Sequence, residues 1–191
     1  MGDRGLPGEE PQNDFRVPAS GRLGVIFLIG YRGSGKTTVA RILAERLGWS
    51  WLDADTQLEA RHGCTIRHIF AEEGEVGFRD KEERMLDELS QYRQHVIATG
   101  GGIVLRPANR DKLKNSYVVW LTADAATLWQ RINQDSTTAE RRPNLTSGGL
   151  AEVEHLLCQR EPLYRSCADL IVDTTNRTPE EIADFIRAGI N

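Results

Sequence analysis

No apolar run in this chain approaches the roughly 20 residues that a membrane-spanning helix needs, so no membrane span is expected. Cysteine is scarce. Cys64, Cys158 and Cys167 stand far apart and lack metal-ligand spacing, which points to reduced thiols in a cytosolic protein and away from a disulfide framework. A strong excess of either charge is missing too: 24 Lys and Arg against 28 Asp and Glu leave a formal net charge of −4 and a pI near 5.6. That balance argues against a nucleic-acid-binding surface, and any anionic ligand has to be met by locally placed Arg or Lys. Residues 1–21 have little apolar content and carry Pro7, Pro11 and Pro18 beside Asp3, Glu9, Glu10 and Asp14. They read as a flexible tail that resembles neither a secretory signal nor a transit peptide. The rest, 22–191, is long enough for one substantial core and short for two, so a single domain is expected.

What the chain does have is a phosphate loop. Gly30-Tyr-Arg-Gly-Ser-Gly-Lys36-Thr37 fits G-x-x-x-x-G-K-[ST] and follows the apolar run Val25-Ile26-Phe27-Leu28-Ile29. Glycines let the backbone wrap a polyphosphate so that successive N–H groups point inward, and the helix that begins near Lys36 adds its positive dipole end. Lys36 supplies a point charge for the β- and γ-phosphates, and the Thr37 hydroxyl is the expected Mg²⁺ ligand. A Gly-rich turn before an ordinary helix would have no use for Lys then Thr at that spacing. The sequence therefore predicts ATP or GTP binding.

Candidate strands recur at 24–29, 49–53, 95–98, 116–121 and 168–172. Helical patterns lie between them at about 36–47, 56–62, 65–72, 75–92, 107–113, 123–133, 149–164 and 178–188. This alternation predicts an α/β, three-layer P-loop NTPase fold, with a five-stranded parallel sheet and helices on both faces. The long polar stretch at about 134–149 exceeds an ordinary connection and reads as a mobile lid.

Ligands of such sheets bind beyond the carboxyl ends of the strands, and three features gather there. Asp53-Ala54-Asp55 ends the second strand just before Thr56-x-x-Glu59, a capping-box pattern, so these aspartates are either ligands or helix caps. Thr99-Gly100-Gly101-Gly102 follows the third strand and offers backbone that another molecule can approach closely. Two arginines fall on apolar helical stripes: Arg79 with Val76, Glu83, Leu86 and Leu89, and Arg160 with Leu150, Val153, Leu157 and Tyr164. An inward guanidinium needs a partner. Glu82 or Glu83 could satisfy Arg79 within its own helix, whereas Glu154 and Glu161 are poorly placed for Arg160. The alternatives are structural ion pairs or bidentate capture of a small carboxylate or second phosphate. Arg141-Arg142-Pro143 lies within the lid stretch, where an arginine would neutralise charge on a transferring phosphoryl group.

With these residues assembled, the chain resembles the shikimate kinase family, small P-loop kinases related in fold to the nucleoside monophosphate kinases. The resemblance runs from about residue 24 to 188. Its motifs are Gly30 to Thr37, Asp53-x-Asp55, Gly77-Phe78-Arg79 with Glu82-Glu83, Gly100-Gly101-Gly102, Arg142-Pro143-x-Leu145 and Arg160-Glu-Pro-Leu-Tyr164. It implies ATP-dependent phosphorylation of the shikimate 3-hydroxyl, a step of aromatic amino acid biosynthesis, by a cytoplasmic monomer whose partners are small molecules. By the same resemblance Lys36, Asp55 and Arg142 are catalytic, and Asp55, Arg79, Gly100, Gly101, Gly102 and Arg160 bind shikimate. Gly33, Ser34, Gly35, Lys36, Thr37 and Thr38 hold the ATP phosphates, and Arg142 reaches them when the lid closes. Arg131 lies against adenine opposite Arg177 and Pro179. Mg²⁺ is bound directly by Thr37 and through water by Asp53. Two departures stand out: Thr37 replaces the commoner Ser, and a longer lid leaves Arg141 and Arg142 both eligible. Trp49, Trp51 and the acidic tail have no assigned role. The rival readings are another small-molecule kinase of this fold, of gluconate or nucleoside monophosphate type, and a non-catalytic ATP-binding module.

Overall fold

The computed structural model describes residues 24–134 and 149–190. The expected tail, the lid with Arg141 and Arg142, and the motif residues Pro143 and Leu145 lie outside the described residues. In chain order the elements are β1 (Val25–Ile29), α1 (Lys36–Leu47), β2 (Ser50–Asp53), α2 (Ala54–His62), α3 (Ile66–Leu89), β3 (His95–Ala98) and α4 (Pro107–Leu113). Then follow β4 (Tyr117–Thr122), α5 (Ala125–Gln134), α6 (Gly149–Cys167), β5 (Leu170–Asp173) and α7 (Pro179–Ile190). The five strands pair in parallel in the order β2-β3-β1-β4-β5.

β1 is central, and all five of its residues are buried. Its side chains alternate between two cores. Val25, Phe27 and Ile29 join the face that packs α2, α3 and the C-terminal part of α6; Ile26 and Leu28 join the face covered by α1 and α7. A strand covered on both faces reads as a continuous apolar run, which is why VIFLI is visible in the sequence without any polar alternation. The edge strand β2 is the opposite case, with Ser50 and Trp51 exposed. Among the described residues no helix is long and apolar enough to cross a membrane.

Three local expectations are corrected. α2 starts at Ala54 instead of Thr56, because the Asp53 carboxylate, not the Thr56 hydroxyl, is the N-cap and accepts from the N–H groups of Asp55 and Thr56. Glu59 does not complete a capping box; its Oε1 accepts from the Ile66 N–H at 2.9 Å and ties α2 to α3. The helices expected at 65–72 and 75–92 form one kinked element, broken only at Gly74, whose φ of 67° is left-handed. Val76, in the first turn after that kink, is 70% exposed, while Arg79, Leu86 and Leu89 farther along the same segment are buried. Leu150 likewise lies outside its expected stripe, exposed near the start of α6.

The chain leaves β1 through Gly30, where φ is 141° and a Cβ would lie 2.3 Å from the Leu121 carbonyl oxygen of β4. Backbone, not a flexible tip, blocks that space. Gly30→Ala is therefore expected to lose about 2–4 kcal/mol in urea unfolding. Gly48→Ala, left-handed but in open space at the end of α1, should lose only about 1 kcal/mol. Equal losses would show that conformation alone, and not the contact with β4, demands glycine at position 30.

Candidate active site

The carboxyl ends of the strands open onto a cavity of about 350 Å³. It is walled by Gly33, Gly35, Lys36, Thr37 and Thr38 of the phosphate loop and α1, by Asp53, Asp55 and Glu59, by Ile66, Thr99 and Gly101, and by Arg32, Arg131 and Ile132. Residues from five separate stretches meet here, as expected of a parallel sheet whose loops converge at one edge. Gly33 and Gly35 take φ of 82° and 86°, the left-handed conformation that turns successive N–H groups toward one side. Ser34 is buried beneath the loop. Lys36 Nζ donates to the Tyr31 carbonyl at 2.8 Å and to Ser34 Oγ at 3.4 Å, so the ammonium is held across the loop that it would share with phosphates.

Asp53 has two jobs set by its two oxygens. Oδ1 caps α2, and this orients Oδ2 to accept from Thr37 Oγ1 at 2.7 Å. The pair brings one hydroxyl and one carboxylate together at the floor of the cavity. Among the described residues no group of three or more His, Cys, Asp or Glu forms a metal cage. One or two hard oxygen donors facing a phosphate-sized space fit Mg²⁺, which keeps waters and phosphate oxygens as most of its ligands. Asp55, half-buried in the first turn of α2, faces the same cavity.

The arginines differ in how they are held. Arg79 is 6% exposed and its Nη1 donates to Glu82 Oε2 at 2.7 Å, with Glu82 itself 5% exposed. Nε and Nη2 both donate to Glu75 Oε1, at 3.3 and 3.2 Å. Glu83, the other expected partner, pairs instead with Arg106 and Lys112 of the neighbouring segment. The Arg79 guanidinium lies against Gly102, where a Cβ would come within 2.4 Å of both Nη atoms. Arg160 forms no ion pair among the described residues. Its Nη1 donates to the Gly101 carbonyl at 3.4 Å, and its guanidinium sits 5.7 Å from the Tyr31 ring centroid. Tyr164, one turn on, is buried and also donates its hydroxyl to Gly101. Gly100 lines a small adjoining recess with Asp55 and Glu82. Arg177 and Pro179 are not among the described walls of the cavity: Arg177 stacks 4.9 Å over Phe185, and Pro179 opens α7.

The model of the shikimate kinase family matches residues 32–191. The chain belongs to the shikimate kinase family. A shikimate kinase from Rhodopirellula baltica is 49% identical over 159 residues, 82% of this chain and 85% of its own length. The solved structure of shikimate kinase from Acinetobacter baumannii in complex with shikimate superposes with a TM-score of 0.81 at 39% identity, covering 86% of this chain and 91% of the other. A gluconokinase from Sinorhizobium meliloti shares the fold only, with a TM-score of 0.53 at 18% identity over 88% of this chain and 93% of the other. Shikimate kinase membership fits a site that pairs a phosphate loop with the buried Arg79 and the half-buried Arg160 nearby.

Several wall residues escaped the sequence reading. Arg32 was open to view inside the phosphate loop, and Thr99 sits between a strand and its glycines. Glu75 as partner of Arg79 carried an i−4 spacing signal, weakened by the Gly74 break before it. Gly102→Ala is expected to fold, with a stability loss of about 1–3 kcal/mol, because the tip that has to move is a buried guanidinium paired with Glu82 and Glu75. The displaced Arg79 should nonetheless weaken binding of an anionic acceptor by about tenfold in calorimetry. Wild-type acceptor affinity in that variant would show that the glycine is not there for the guanidinium.

Proposed function

We propose that this chain transfers the γ-phosphoryl group of ATP to the 3-hydroxyl of shikimate, giving shikimate 3-phosphate and ADP. The observation that carries the reading is one cavity with the phosphate loop on one wall and Asp55 and Gly101 on another, Gly101 running directly into the Gly102 that the Arg79 guanidinium abuts. A nucleotide and a small anionic acceptor therefore meet end to end, and neither has to leave its own wall.

Roles follow from what each side chain has left to offer. The two carboxylates take three of the five Arg79 donors, and the remaining two suit a planar acceptor carboxylate in concert with Arg160. Asp55 orients the attacked hydroxyl and accepts its proton as the new O–P bond forms and the bond to the β-phosphate oxygen breaks. Lys36 exchanges the Tyr31 carbonyl and Ser34 hydroxyl for phosphate oxygens. Thr37 and Asp53 would hold Mg²⁺, which supplies charge neutralisation on the β- and γ-phosphates. Arg131 forms the nucleotide wall, and Arg142 of the lid, Arg177 and Pro179 take their phosphate and adenine roles from the family resemblance. Because the transition state is loose, positioning and charge neutralisation dominate over deprotonation. The reading carries with it a monomeric cytoplasmic enzyme built as a single domain.

ADP release coupled to a reporter, with ATP and Mg²⁺, should rise strongly on adding shikimate and stay at baseline with gluconate or AMP. Stimulation by gluconate instead would overturn the acceptor assignment. Lys36→Ala should abolish turnover in a folded protein. Arg79→Lys keeps the charge but loses the planar fork, so the KM for shikimate should rise about tenfold while that for ATP moves far less. Equal effects on both substrates would contradict the carboxylate assignment.

A further inference from the structure

Arg131 is fastened from behind by one residue of a different crossover. Thr174 follows β5, is 1% exposed and stands outside the cavity walls. Arg131 Nη1 donates to Thr174 Oγ1 at 2.9 Å, and Nη2 donates to the Thr174 carbonyl at 2.7 Å. Thr174 is itself anchored to the end of β4: its N–H donates to the Thr122 carbonyl at 2.8 Å, and its hydroxyl donates to the same oxygen at 3.0 Å. The polarity of the relay is set. The hydroxyl hydrogen is committed to Thr122, so Oγ1 presents lone pairs to a guanidinium that can only donate.

We propose that Thr174 is a positioning residue for the nucleotide: it holds the Arg131 guanidinium in the cavity wall before ATP arrives. The proposal rests on the kinase reading above and adds to it a residue that touches neither substrate. A long arginine side chain otherwise loses rotamer freedom when a ligand packs on it, and that loss weakens binding. Here the freedom is already gone in the free protein, through two hydrogen bonds to a buried residue. Both strands that supply the relay lie on the side of β1 opposite β2 and β3, so its effect should fall on the nucleotide and spare the acceptor.

The test is calorimetric titration with ADP, together with steady-state KM values for ATP and shikimate. Thr174→Val removes the hydroxyl but keeps the Thr174 carbonyl for Nη2 and the 174 N–H for Thr122, so each remaining partner keeps a bond. It should weaken ADP binding and raise the KM for ATP about five- to tenfold, with shikimate's KM changed less than about twofold. Thr174→Ser should restore near wild-type values. In an Arg131→Ala background Thr174→Val should add nothing, because the residue acts through the arginine. Arg131→Lys probes the same clasp without disturbing the buried position, and should weaken ADP binding by a similar factor. Unchanged ADP affinity in Thr174→Val or in Arg131→Lys would overturn the proposal. So would a serine variant no better than valine, or an equal loss in the Arg131→Ala background. A wild-type protein that binds no ADP would instead sink the kinase reading itself.

Discussion

Two stretches of bare backbone touch at the centre of this protein, and the site depends on that contact. Gly101 packs against the phosphate loop: a Cβ there would sit in ordinary van der Waals contact, 3.4 Å from the Gly30 carbonyl oxygen and 3.5 Å from the Arg32 nitrogen. The Gly101 carbonyl meanwhile accepts from Tyr164 and Arg160 of α6. One peptide thus joins the phosphate loop after β1, the glycines after β3 and the helix α6. A Cβ fits at Gly101, but a larger side chain there would push its loop away from the phosphate loop, and phosphoryl transfer is sensitive to misplacement on the order of 1 Å.

Buried charge is handled differently on the two flanks. On the β2–β3 side, Arg79 is paired with Glu82 and Glu75 and packs 5.0 Å from the Phe78 ring, which in turn stacks on Phe70. A guanidinium this enclosed is tolerable only because carboxylates compensate it. The same carboxylates lock its orientation, so an ion pair that looks structural is also the means of aiming two unspent donors. On the β4–β5 side the described partners of Arg131 are neutral groups, the hydroxyl and carbonyl of Thr174. Neutral anchors leave the cation's charge undiminished.

The arrangement also explains how Asp53 serves two ends. As the N-cap of α2 it fixes the start of the helix that carries Asp55, and its second oxygen reaches Thr37. A change at Asp53 would therefore disturb the contact with Thr37 and the placement of Asp55 together. Loss of activity on mutating it would carry no single meaning.

The strands, all but one of the helices, the phosphate loop and the family motifs were legible in the sequence. Each is written in local terms: apolar runs, helical spacing, glycines where the backbone must turn. The lid arginines were equally legible as residues, but 135–148 lie outside the described structure. What the tertiary structure alone decided was partnership. Asp53 and Thr56 were both chemically able to cap α2, and only the strand–helix junction selects Asp53. Glu83 was a plausible mate for Arg79 until Arg106 and Lys112 approached from α4 and the segment before it. Val76 shared the spacing of the apolar stripe, yet the first turn after Gly74 lies at solvent and leaves it exposed. Thr174 carried no signal at all, because its role needs β4 and β5 side by side and α5 laid across their ends. Periodicity records which face of an element is buried; which side chains meet there depends on strand order, and strand order is a property of the assembled sheet.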